Sequence, residues 1–192
     1  MKSLSLLVTG IVTILFISTG CQKENGSNAT EETAVPSANR NIQAPGTCNN
    51  NAYQITLESK IQVGSNWEWI WSVKNPNPGN GNNGTVQDLS HWGMQLGTCV
   101  NNSNIISAAY SSNGVNWTSF TPAIQVDPSQ ECMTSPVLKF DFGTSGGNKS
   151  YYKIVVNSNY ATGSAPGYYK SGRRTGCCTF NFSGISCGSN PA

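Results

Sequence analysis

Charge is what this sequence is shortest of. Asp, Glu, Lys and Arg make up 10% of its 192 residues, against about 25% in an ordinary soluble domain. Formal net charge is +2, so composition gives no electrostatic case for nucleic acid as a partner. Histidine occurs once, as His91, and any Ser–His or Cys–His machinery would have to use it. A zinc site needs four ligands at suitable spacing, and the chain has no Cys-x-x-Cys pair. Structural zinc and thioredoxin-type redox chemistry are therefore disfavoured. Residues 75–84 contain no Asp or Glu, which makes that loop a poor calcium site. No metal and no cofactor are expected. In place of charge stand Ser (24), Asn (23), Gly (20) and Thr (16). All four are poor residues for helix interiors, so a helical bundle and a coiled coil are excluded.

Residues 1–20 read as an address. Lys2 is followed by an apolar stretch from Leu4 to Ile17, broken only by Ser5, Thr9, Gly10 and Thr13. It falls short of the roughly 20 apolar residues of a comfortable membrane span. It ends in Ile17-Ser18-Thr19-Gly20-Cys21, which resembles the lipobox of bacterial lipoproteins. That resemblance implies cleavage before Cys21 and a diacylglyceryl group on its thiol. Several acyl chains, palmitate among them, at about 0.8 kcal/mol per buried CH₂ make a lasting anchor. Gln22-Lys23-Glu24 is similar to the short export signal of Bacteroidota-type surface lipoproteins, with Asn25 where a second acidic residue is expected. The resemblance implies an outer-membrane lipoprotein exposed at the cell surface, the periplasmic face being the alternative. Residues 21–46 then read as the lipidated cysteine and a tether. Asn25 to Arg40 holds one Val and no aromatic, too little apolar area to offset its ordering entropy. As a coil it would reach roughly 25–30 Å.

From residue 47 onward the period is two. Tyr53, Ile55, Leu57, Ile61 and Val63 alternate with polar residues, and only Ser59 breaks the pattern. Trp67, Trp69, Trp71 and Val73 form a second alternating run, and Gly64-Ser65-Asn66 between them is a hairpin signal. Asn113-Gly114 between residues 105–110 and 115–120 is another. Further strands are expected over 89–96, 137–142, 151–156, 167–170 and 179–182. Eight or nine short strands with turn chemistry between them predict an all-β fold over 47–192. The expected form is an antiparallel, immunoglobulin-like β-sandwich stabilised by disulfides. Trp71-Ser72-Val73-Lys74-Asn75, Leu89-Ser90-His91-Trp92, Leu96 and Cys99 are together similar to a module of secreted bacterial proteins. That similarity implies an extracellular β-sandwich and no particular activity.

Seven cysteines are an awkward number for an exported chain. Setting Cys21 aside for lipid leaves Cys48, Cys99, Cys132, Cys177, Cys178 and Cys187, an even set that reads as disulfides. Spacing does not decide their partners. The expectation is Cys99 with Cys132, and Cys177 and Cys178 on opposite faces of a strand, pairing separately with Cys48 and Cys187. A vicinal Cys177–Cys178 bridge is the strained alternative.

Two features suit recognition, with an extracellular glycan or protein as the expected partner besides the membrane. Trp67, Trp69 and Trp71 share one strand face. Exposed, they would be a stacking platform for sugars; turned inward, they would supply the bulk that a chain poor in Leu, Ile and Val needs, and the reading favours the core. Tyr168-Tyr169-Lys170-Ser171-Gly172-Arg173-Arg174 puts three cations and two aromatics around a glycine turn, suited to anionic glycans or carboxylates. A passive envelope role and a hydrolase are the alternatives. The hydrolase would use His91, or Glu58 and Glu68 on neighbouring strands. Against it, Ser90 and His91 should point to opposite faces of their strand, and His91 is expected to hydrogen-bond a neighbouring strand or turn.

Overall fold

The computed structural model describes residues 48–188. The expected leader, Cys21 and the tether lie outside them. Among the described residues are ten strands: β1 (Gln54–Val63), β2 (Asn66–Lys74), β3 (Leu89–Met94), β4 (Ile105–Ser111), β5 (Thr118–Phe120), β6 (Ile124–Gln125), β7 (Val137–Phe140), β8 (Lys149–Val156), β9 (Ala161–Ser171) and β10 (Cys177–Ser186). They form two five-stranded antiparallel sheets, ordered β1-β2-β8-β4-β5 and β10-β9-β3-β7-β6. This is the all-β sandwich expected, and an immunoglobulin-like arrangement is compatible with it. Both anticipated hairpins are present, β1–β2 across Gly64 and β4–β5 across Asn113-Gly114. Gly64 and Gly114 both hold positive φ, which a side chain would resist.

Aromatic side chains fill the space between the sheets. Trp92 of β3 stacks on Phe140 of β7 at 5.0 Å between ring centroids, with Tyr152 of β8 at 5.2 Å and Phe182 of β10 at 5.7 Å edge-on. Offset and edge-to-face contacts of this kind add about 0.5–1.5 kcal/mol each beyond the area they bury. Trp69 and Trp71 lie inside this core, both 0% exposed, and stack at 5.7 Å. Trp67 is half-buried against the same cluster. The row is therefore no sugar platform: the sheet needed its bulk, and the polar partners Glu68 and Ser72 took the other face.

Three β-bulges reverse side-chain parity where simple alternation would continue. The first falls at Glu58, where the register jumps between Leu57 and Ser59. An extra residue flips every side chain beyond it. Ile61 and Val63, expected to face inward with Ile55 and Leu57, are instead 49% and 51% exposed. Lys60 takes the inward place opposite Trp69. Its ammonium sits 4.9 Å from the Trp69 ring and donates to Tyr160 O at 2.6 Å. Burial lowers its pKa. The other bulges fall at Ser90 in β3 and Ile106 in β4.

The cysteines pair as Cys48–Cys178, Cys99–Cys187 and Cys132–Cys177, with Cα separations of 5.1, 5.7 and 5.9 Å. The expected Cys99–Cys132 bond is not made, and the vicinal alternative is not taken. Cys177 and Cys178 do diverge to opposite faces and bind separate partners. Cys178 turns inward and meets Cys48, whereas Cys177 meets Cys132 on the outer face and leaves Cys187 to Cys99. Residues 126–136 cross the outer face of the second sheet, which carries Cys132 away from Cys99 and brings it to β10.

Candidate functional site

Two places gather chemistry-bearing side chains. The first is where residues 126–136 lie against the second sheet. Asp127, Gln130 and Met133 are buried at intervals of three, and Met133 packs with Val137 and Tyr168 into a small satellite core. Asp127 sits at the centre, 2% exposed. Tyr168 Oη donates to its Oδ2 at 2.6 Å, and Ser129 donates to its Oδ1 through Oγ at 2.6 Å and N–H at 2.9 Å. Lys139 Nζ stands 3.4 Å from Oδ1 and 2.7 Å from Asp141. Burial opposes ionisation of Asp127, but these donors and the Lys139 ammonium outweigh it and hold the carboxyl far below the usual range. Tyr168 reaches this position by lying over Gly93, its cross-strand partner, where an added Cβ would overlap its ring.

His91 joins the cluster with both nitrogens engaged. Nε2 meets Asp127 Oδ2 at 3.1 Å, and Nδ1 meets Ser90 Oγ at 3.3 Å. Because a carboxylate only accepts, Nε2 carries the proton. Ser129 Oγ lies 3.3 Å from the same Nε2 but donates to Asp127, so the imidazole takes no proton from it. Burial and the Lys139 ammonium push the His91 pKa below its usual value, against the pull of Asp127 and Asp141. Ser90 was expected on the opposite face from His91; the bulge at Ser90 brings its hydroxyl to the ring instead. What this wiring does is fasten. A buried anion satisfied from three elements clamps the 126–136 crossing to β3 and β9, and Cys132–Cys177 closes it a few residues on.

The second place is one end of the sandwich, where loops gather. Residues 75–87 run back along the turn that joins β9 to β10: Gln87 Oε1 accepts from the backbone N–H of Arg174 at 2.7 Å and of Thr175 at 3.0 Å. Arg174 Nη1 donates to Asn80 O at 3.3 Å. The turn before β8 packs alongside, with Gly146 N–H donating to Asp88 Oδ1 at 2.7 Å. At this end β2 finishes with Lys74 directly opposite Lys149, the first residue of β8. Lys149 is held by Glu58 at 2.5 Å, and Ser72 Oγ donates to the same carboxylate oxygen. Those two contacts keep the Glu58 pKa low, and Glu58 raises that of Lys149. Among the described residues, Lys74, Arg173 and Arg174 form no ion pair. A depression of about 380 Å³ lies between Lys74 and Lys149, bordered by Gln54, Thr56, Ser72 and Gly147.

The candidates read from sequence divide accordingly. Tyr168 and Tyr169 cannot present a recognition surface. Both are buried, on opposite faces of β9, Tyr168 under the 126–136 crossing and Tyr169 in the main core. Lys170 donates to Ser129 O and belongs to the fastening. Arg173 and Arg174 are exposed at the turn as expected. Glu58 and Glu68 each face a lysine, Lys149 and Lys153. Glu58 meets Ser72, four residues along β2 from Glu68, which sets the two carboxylates roughly 13 Å apart. Sequence reasoning passed over Gly143-Thr144-Ser145-Gly146-Gly147, which has Gly-x-Ser-x-Gly spacing. It joins strand to strand rather than strand to helix, so the context a nucleophile elbow needs is missing. It also missed the Lys74–Lys149 pair, which no local pattern announces. Among the described residues no group of three metal-ligating side chains occurs, and no helix is long and apolar enough to cross a membrane. Neither a scan against protein-family models nor a search of curated proteins found a match for the chain.

Proposed function

We propose that this protein is a lipid-anchored binding module of the bacterial cell surface, tethered through Cys21 and contacting an anionic extracellular glycan or protein with the loop end of its β-sandwich. The observation that carries the reading is the placement of Lys74, Arg173 and Arg174. In a domain with so few charges, these three cations form no ion pair among the described residues and lie at one end, Arg173 and Arg174 in a turn and Lys74 at the last residue of β2. Cations left in water beside hydroxyl- and amide-rich loops suit an anionic ligand. The lipobox resemblance supports the anchor, and Gln22-Lys23-Glu24 supports the outer face.

Each half has its own test. Cys21→Ser should move the protein from the membrane to the soluble fraction and remove the acyl mass from the N-terminal peptide; retention in the membrane contradicts the anchor. Protease added to intact cells should remove the domain if it faces outward, and protection places it in the periplasm. Lys74→Glu/Arg173→Glu/Arg174→Glu should abolish binding on an array of acidic glycans and proteins. A wild-type protein that binds nothing there, with altered envelope integrity on deletion, would favour a passive structural role.

A further inference from the structure

We propose that the depression between Lys74 and Lys149 seats one acidic group of an oligosaccharide, with the next sugar lying in the adjoining hollow beside Tyr151. This rests on the reading that the loop end binds anions, and it names the seat and the ligand class. The first observation is register. Lys74 and Lys149 are direct cross-strand partners on the outer face of the first sheet, where like charges disfavour each other. Glu58 neutralises Lys149 alone. An anion between the two ammonium groups would relieve that repulsion and complete the pairing of Lys74.

The second observation is what surrounds the pair. The Thr56 hydroxyl and the Gln54 amide border the seat as neutral hydrogen-bonding groups, while Ser72 and Lys149 are already engaged by Glu58, so the ammonium left for an anion is that of Lys74. Gly147 completes the border, and a Cβ there would meet only Pro78 Cγ, at 3.8 Å, so a side chain can be added at the rim without a clash. The third observation is continuity. Lys149 also lines a neighbouring hollow of about 580 Å³, whose walls include Tyr151, Asn113, Asn148, Ser112 and Ser145. Volumes of this size suit one or two sugar rings. Amides and hydroxyls match sugar hydroxyls, and the Tyr151 ring gives an apolar edge. A cation pair opening onto such a wall fits an acidic group borne on a saccharide. Carboxylate and sulfate ester share the needed charge and acceptor oxygens.

The test is calorimetric titration of the full chain, purified in detergent, with three hexasaccharides: one of uronic acids, one sulfated and one neutral. At least one acidic ligand should bind, at least about tenfold tighter than the neutral one, and the better of the two identifies the anion. Affinity should fall with added salt. Lys74→Glu and Gly147→Asp alter only the rim and should each weaken binding at least about tenfold, while Lys74→Arg retains it. Arg173→Ala/Arg174→Ala should change it by less than about threefold. If an acidic ligand binds Lys74→Glu and Gly147→Asp as well as wild type but is lost in the arginine double variant, the seat is wrong and the loop-end reading stands. If neither acidic ligand binds wild type, or the neutral one binds equally well, the saccharide seat is overturned, and the loop-end reading then stands or falls on the array of acidic glycans and proteins.

Discussion

Trp69 and Trp71 show how far a residue's fate can be decided by one hydrogen bond. Both are fully buried and stacked on each other, but Trp71 Nε1–H donates to Ser183 O at 2.8 Å, whereas Trp69 Nε1 has no partner. Trp71→Phe loses that hydrogen bond and should cost about 0.5–1.5 kcal/mol more than the lost volume alone. Trp69→Phe also loses volume but sheds an unsatisfied polar atom, so it should be the milder change. Urea denaturation of the two variants compares them directly, and equal losses would show that the hydrogen bond contributes nothing net. His91 makes a second residue-scale case. Its folded pKa lies below the unfolded value of about 6.5. As pH falls past about 6.5, the unfolded chain takes up a proton that the folded state resists, so stability should decline through that window. Asp127 acts lower down: its depressed pKa stabilises the fold above about pH 4, and that contribution is lost as pH falls further. Because His91 is the only histidine, His91→Gln should flatten the first decline and leave the second. A decline unchanged by His91→Gln would assign it to another group.

At the scale of elements, the strands and local hairpins were legible in sequence because alternation and turn residues are local signals. The Gly64 and Asn113-Gly114 turns sit where turn chemistry put them. What alternation could not carry was the bulge. Ser59 was visible as a break, but a break does not say whether the residues after it resume parity or reverse it; Ile61 and Val63 reversed, and Lys60 turned in. Long-range pairing was equally hidden. That β2 lies beside β8, and so sets Lys74 against Lys149, depends on packing of the whole sheet. The 126–136 crossing was the largest omission, since its burial rests on a polar cluster with no periodic signature. Its attachment is testable. Cys132–Cys177 spans 45 residues, for which chain entropy gives a stabilisation of about 4 kcal/mol. Cys132→Ser/Cys177→Ser should lower stability by up to that amount. Hydrogen exchange should then rise over residues 128–136 and leave β2 and β8 protected. Exchange that stays slow over the crossing would mean that Asp127 and its donors suffice to hold it.

For the whole molecule, low charge and an odd cysteine count turn out to be connected to its layout. Six cysteines staple the described domain at three places, which leaves Cys21 for the proposed anchor. Of the few charges, Glu68 and Lys153 pair with each other, Asp127 and Asp141 hold Lys139, and Glu58 holds Lys149. Lys74, Arg173 and Arg174, which form no ion pair among the described residues, lie at the loop end. Cys48, where the described domain begins, is bonded to Cys178 beside the turn bearing Arg173 and Arg174. The chain therefore enters the domain at the same end as those cations. The measurement that bears most directly on the loop end as the binding face is an amide map. The isotope-labelled full chain in detergent micelles would be titrated with an acidic hexasaccharide and followed by two-dimensional NMR. Shifts are expected in residues 75–87, 143–149 and 172–176, with the Gly64 turn and residues 157–160 unmoved. Shifts centred on the Gly64 end, or none at saturating ligand, would contradict it.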